Sequence, residues 1–188
     1  MRGFFGVGAV GISKAMNAGA IFRTAHAFGA SFVFTVAAVY ARDRGGLADT
    51  SDTPASVPFY AFSDLDSMLL PAGCSLVGVE LAENAVELPS FRHPKQAAYL
   101  LGPERGSLAP ELMARCDHVI KIPTQFCVNV SVAAALVMYD RVQSMGRFAP
   151  RPVAAGGPIE APPEHVAGGP RFRQAAAFRA TPPDHESA

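Results

Sequence analysis

Three short segments carry residues whose types and spacing could do chemistry. "NAGAIFRTAHAFGA" holds Asn17 and Arg23, six residues apart. That is close to two helical turns, so an amide and a guanidinium would lie roughly on one side of a helix. Arg23 stands between Phe22 and Thr24 in an otherwise apolar stretch. It either pairs with a surface carboxylate or serves a site, and spacing alone does not choose. "LLGPERGSL" sets Glu104 between Gly102 and Gly106, directly after an apolar run. A tight turn is the plain reading, because glycine tolerates turn geometry. The phosphate-cradling patterns GxGxxG and GxxxxGK are absent. In "IPTQFCVNVSVAAALVMYDR", a loop from Ile122 runs into Asn129 and then into a helix. Such a loop exposes backbone N–H and C=O groups that an adenine ring could use. Cys127 could be a nucleophile, but no histidine is near it in sequence, so a small buried thiol is expected.

The elements that must position these residues follow from periodicity. Residues 3–12, 31–40, 74–82 and 97–102 and the run "DHVIKI" read as buried strands. Asn17 is the expected N-cap of a first helix, Ile21, Ala25 and Phe28 its apolar face, and Gly29 its end. Ser63 is the expected N-cap of a short helix, and another is expected after Pro110. Pro123 disfavours helix before Asn129, whereas Val130, Ala133, Ala134, Val137 and Met138 recur at helical spacing. Strands alternating with helices predict an α/β domain with a mostly parallel sheet and helices on both faces. Ligands of such sheets bind beyond the carboxyl ends of the strands. All three segments fall there.

The chain has 188 residues, 49% of them hydrophobic, and a formal net charge of zero. That is the size and apolar content of one globular domain. A zero net charge argues against a purely electrostatic nucleic-acid binder. Local basic groups (Arg92, His93 and Lys95; Arg141, Arg147 and Arg151) read as solvated surface. The glycine-rich N-terminus alternates like a strand and is read as one rather than as a signal peptide. Three unpaired cysteines fit reduced thiols and a cytoplasmic protein. No metal site and no membrane partner are expected. Residues 41–56 form a long polar loop. Residues 1–148 are expected to form the domain and residues 149–188, rich in Pro and Gly, an irregular tail.

Together, in this order and spacing, the three segments resemble the motifs of the SpoU/TrmH family of SPOUT methyltransferases, over roughly residues 3–147. The first matches N-x-G-x-x-x-R-x-A-x-x-F-G-A, the second resembles G-x-E-x-x-G-L with Ser107 before Leu108, and the third resembles I-P-M…S-L-N-V-S-x-A. The resemblance implies a deep C-terminal trefoil knot, a homodimer with active sites at its interface, and S-adenosylmethionine as cofactor. It implies methylation of a ribose 2′-hydroxyl in RNA, tRNA ahead of rRNA. Arg23 would assist loss of the hydroxyl proton or orient the substrate phosphate. Asn17 would hold Arg23 and the helix start, and Glu104 would shape the pocket, with Asn129 completing the catalytic set. Gly102, Ile122, Cys127 and Val128 would cradle the cofactor, with Val79 at the end of its strand.

This sequence has Cys127 and Val128 where the family has Ser-Leu, and a shorter loop before Asn129. Those departures keep open a second class, a non-catalytic RNA-binding or assembly protein on the same knotted fold. The chain begins at the first strand, like minimal members of the family. RNA contacts are then expected from the dimer surface, from residues 41–56 or from the basic tail.

Overall fold

The structure is a computed structural model that describes residues 3–39, 56–146, 148, 151–152 and 155–157. Two units are distinguished, Met1–Arg147 and Phe148–Ala188, and every element below lies in the first. The expected loop at 41–56 and the expected tail lie almost wholly outside the described residues.

Seven strands form one sheet: β1 (Phe4–Val10), β2 (Phe32–Val36), β3 (Phe59–Phe62), β4 (Ser75–Val79), β5 (Val86–Glu87), β6 (Gln96–Leu101) and β7 (His118–Lys121). Their spatial order is β3-β2-β1-β6-β4-β7-β5, and every pair is parallel. The α-helices among the described residues are α1 (Ala15–Ala27), α2 (Pro110–Arg115) and α3 (Val130–Met145). The α/β class, the parallel sheet and the five expected strands are all present. β3 and β5 are additional: they are short edge strands whose residues are mostly exposed, so they lack the buried apolar run that marks β1, β2, β4 and β6.

Both faces of the sheet are covered. In β6, Ala97, Tyr99 and Leu101 face the layer of α1 and α3, while Ala98 and Leu100 face the layer of α2. This alternation is the period of two that a strand imposes. β1 is a strand despite its glycines. A Cβ at Gly6 would stand 2.2 Å from the Phe32 ring, and one at Gly8 2.5 Å from the Phe34 ring. The glycines are the floor on which two phenylalanines of β2 lie, and Phe34 is fully buried there. Burying such a side chain contributes roughly 1.5–3 kcal/mol.

α1 ends as its sequence predicts. Gly29 has φ +73°, its N–H donates to His26 O at 3.0 Å, and Ala30 N–H donates to Ala25 O at 2.9 Å. These two bonds close a Schellman motif. The other end differs from expectation. Lys14, not Asn17, occupies the N-cap position, and Lys14 makes no side-chain cap bond. Asn17 lies inside the first turn. The short helix expected from Ser63 is also absent. Asp64 Oδ1 instead accepts the Ser67 N–H at 2.7 Å, closing a local turn. Asp and Ser offer the backbone such alternatives to a helix.

Candidate active site

Because all strands are parallel, their carboxyl ends share one edge of the sheet. The strand order reverses between β1 and β6, so the connections after β1 and β6 diverge and leave a crevice. A cavity of about 250 Å³ lies here, bounded by the ends of β4 and β6, the loop after β7 and the starts of α1 and α3. Val79, Gly102, Ile122, Cys127 and Val128, all expected to hold a cofactor, line it. So do Asn17, Glu104 and Asn129.

Those last three residues are joined by one chain of hydrogen bonds. Asn129 is the N-cap of α3, and its Oδ1 accepts from Ser131 N at 2.9 Å and Ser131 Oγ at 2.7 Å. Its Nδ2 donates to Asn17 Oδ1 at 3.3 Å. Asn17 Nδ2 donates to Glu104 Oε1 at 2.5 Å. The same carboxylate accepts the Ser13 N–H at 3.0 Å, the Lys14 N–H at 3.1 Å and the Ser13 hydroxyl. Every donor in the chain points towards Glu104, so the bonds polarise one another. Glu104 thereby caps α1 from a remote loop, which explains why no local residue does so. Its negative charge also suits a helix N-terminus. Burial opposes ionisation of Glu104, but the bonds from Ser13, Asn17 and Lys14 outweigh it and hold the carboxyl below its ordinary range. Gly106, at φ +94°, turns the loop that delivers Glu104.

Arg23 is not brought to this cavity. It is exposed, about one and two-thirds turns further along α1, and does not line the space. Six residues rotate a helix by about 600°, leaving Asn17 and Arg23 roughly 120° apart. Cys127 corrects another expectation: its thiol is exposed, at the cavity, and not buried. Sequence reading missed Glu80, which follows β4 and lines the cavity beside Gly102. Its Oε2 accepts the Leu108 N–H at 2.6 Å and its Oε1 the Leu81 N–H at 2.9 Å. A lone Glu after an apolar strand gives no signal of its own. Only its place at the carboxyl edge could have singled it out.

A second polar network lies at the opposite end of α3. Arg141 and His93, expected on the surface, are buried at 4% and 7% exposure. Arg141 donates to Pro94 O at 2.6 Å, Lys95 O at 2.9 Å, Phe4 O at 3.3 Å and Tyr99 Oη at 3.0 Å. Its guanidinium also stands 5.2 Å from the Phe5 ring centroid. Arg141 thus saturates the carbonyls where β1 and β6 begin. The Tyr99 hydroxyl meets His93 Nδ1 at 2.5 Å, and His93 Nε2 meets Asp140 Oδ1 at 2.8 Å. An ionised Asp140 only accepts, so Nε2 carries the proton and Nδ1 accepts from Tyr99. Burial lowers the His93 pKa, against the opposing pull of Asp140, and burial pushes Tyr99 up to about 12. No helix among the described residues is long and apolar enough to cross a membrane.

Comparison with known proteins places this geometry. Residues 5–139 match the SpoU rRNA Methylase family. The mouse tRNA (guanosine(18)-2′-O)-methyltransferase TARBP1 is 28% identical over 145 residues, which are 72% of this chain and 9% of that protein. An AdoMet-bound rRNA methyltransferase from Sinorhizobium meliloti shares the fold at a TM-score of 0.68 and 22% identity, over 78% of this chain and 59% of that one. A structure concerned with 2-OH methylation of C/U34 on tRNA aligns at a TM-score of 0.66 and 24% identity, over 76% of this chain and 97% of that one. This chain therefore spans a small part of the mouse relative and about three-fifths of the Sinorhizobium enzyme.

Proposed function

We propose, because this chain belongs to the SpoU rRNA Methylase family, that it methylates a ribose 2′-hydroxyl of RNA with S-adenosylmethionine as donor. The observation that carries this reading is convergence. Three segments distant in sequence deliver Asn17, Glu104 and Asn129 to one hydrogen-bonded chain beside one cavity.

The lining suits the cofactor. Two carboxylates, Glu80 and Glu104, and apolar Val79, Ile122 and Val128 surround the space, an environment that accepts a cation with an apolar body. Bound S-adenosylmethionine would supply an activated methyl group. The chain's own contribution is alignment: with a good leaving group in place, rate depends on holding the hydroxyl in line. The Glu104–Asn17–Asn129 chain fixes the starts of α1 and α3 against the loop 102–108 and so fixes the cavity walls. Arg23, a guanidinium exposed on α1 outside this protomer's own cavity, would act at the cavity of a second copy, where it orients the RNA phosphate or supports loss of the hydroxyl proton.

The proposal includes a homodimer. Val132, Leu136 and Tyr139 stand exposed at i, i+4 and i+7 on the outer side of α3, an apolar stripe that a second copy could cover. It also includes the knot, for which the shared cavity of the loops after β6 and β7 is the support. Of the relatives, the mouse protein and the C/U34 structure concern tRNA and the Sinorhizobium enzyme rRNA. tRNA is put first.

The test is nucleoside mass spectrometry of RNA from a deletion strain. Loss of a 2′-O-methyl nucleoside, restored by the wild-type gene, is the expected result. An unchanged set of 2′-O-methyl nucleosides sinks the reading.

A further inference from the structure

Two carboxylates line the cavity, and their hydrogen-bond accounts differ. A carboxylate offers about four acceptor positions. Glu104 is full: Ser13 supplies two donors, and Lys14 and Asn17 supply one each. Glu80 accepts one N–H on each oxygen, from Leu108 on Oε2 and from Leu81 on Oε1. One acceptor position is left on each of its two oxygens. Two such positions side by side on one planar group match a ligand with two adjacent donors.

The surroundings leave room beside Oε2. Gly102 lies across from the carboxylate, and a Cβ there would stand 3.4 Å from Glu80 Oε2. A side chain at that position would cover the acceptor, and glycine does not. The two backbone bonds also fix the carboxylate plane, so little freedom is lost on binding.

We propose that Glu80 is a ligand-binding residue of this site and accepts the vicinal 2′- and 3′-hydroxyls of the cofactor's ribose in a two-pronged hydrogen bond. Glu104 holds the walls and Glu80 reads the ligand. This assignment rests on the S-adenosylmethionine reading above. An ammonium group would also pair with a carboxylate, but as one charge centre it has no need of two matched oxygens.

Calorimetry separates these cases without using activity. The probes are S-adenosylhomocysteine, 5′-methylthioadenosine (which keeps the diol and lacks the amino acid) and the 2′,3′-dideoxy form of methylthioadenosine. Wild-type protein should bind the dideoxy form at least about tenfold more weakly than methylthioadenosine, as expected for bonds to a charged acceptor. In Glu80→Gln that gap should shrink to about threefold or less, because one acceptor becomes a donor. Equal affinities in the wild type overturn the assignment, and that arm needs no variant to fold. An undiminished gap in Glu80→Gln also overturns it. A Glu80→Gln loss confined to S-adenosylhomocysteine assigns Glu80 to the ammonium instead and rejects the diol. If the wild type binds none of the probes at millimolar concentration, the cofactor reading itself fails, and this one with it.

Discussion

Helix α3 carries a polar network at each end, and the two are built for opposite tasks. At its N-terminus, Asn129 joins Asn17 and Glu104 beside an open cavity. Near its C-terminus, Asp140 and Arg141 join His93 and Tyr99 within the protein. Each network runs through donors to one carboxylate. The buried one is closed: no buried side-chain nitrogen or oxygen among the described residues lacks a partner. The cavity network sits at a rim where Glu80 retains acceptor positions and Asn129 is exposed. A polar cluster with every bond satisfied internally has nothing left for a ligand, so its work is structural. The difference between the two is one of unused bonding capacity, not of residue type.

The contrast can be broken most forcefully at Arg141. Arg141→Met strips four acceptors of their donor, and urea denaturation should show a loss of about 3–5 kcal/mol. Cofactor affinity of the folded protein should stay within about twofold, and a selective loss of binding would erase the distinction between the two ends. Next in size is Arg23→Ala. Single-turnover methylation should fall by about 10²-fold or more, the scale of losing one electrostatic contact to the reacting centre. Calorimetric cofactor affinity should hardly change. Full activity in that variant removes Arg23 from the site.

Asn129→Ala sharpens the comparison further. Loss of the N-cap alone costs about 1 kcal/mol of stability. If the chain to Glu104 acts as a unit, a cycle with Asn17→Ala should show a coupling of about 0.5 kcal/mol or more, whereas simple additivity would reduce Asn129 to a cap. The smallest effect is a pH dependence at the closed end. His93 is held neutral, its pKa below the ordinary 6.5. The unfolded chain therefore binds a proton before the native state does, and stability falls as pH drops below about 6.5. Protonation would also turn Nδ1 from acceptor to donor against the Tyr99 hydroxyl. The His93→Gln variant should lose this part of the pH–stability curve. An identical curve in the variant would assign the proton elsewhere.

Much of the fold was legible in local pattern. The apolar runs of β1, β2, β4 and β6 are the buried strands they read as, and Gly29 closes α1 as its position predicts. The glycines of β1, which look like flexibility in a sequence, proved to be packing sites for Phe32 and Phe34. Eight of the nine site residues expected from motif resemblance, all but Arg23, line one cavity.

The sequence by itself determined the α/β class and the start of α3 at Asn129, because each depends on neighbours a few residues away. Only the tertiary structure decided who caps α1, since Glu104 reaches it from a separation of 87 residues or more. It alone decided that Arg141 and His93 are buried, because a charge reads as surface until its partners arrive from Phe4, Pro94 and Tyr99. It alone singled out Glu80, whose significance lies in the bonds it leaves unmade. Long-range contacts set those outcomes, and no local pattern encodes them.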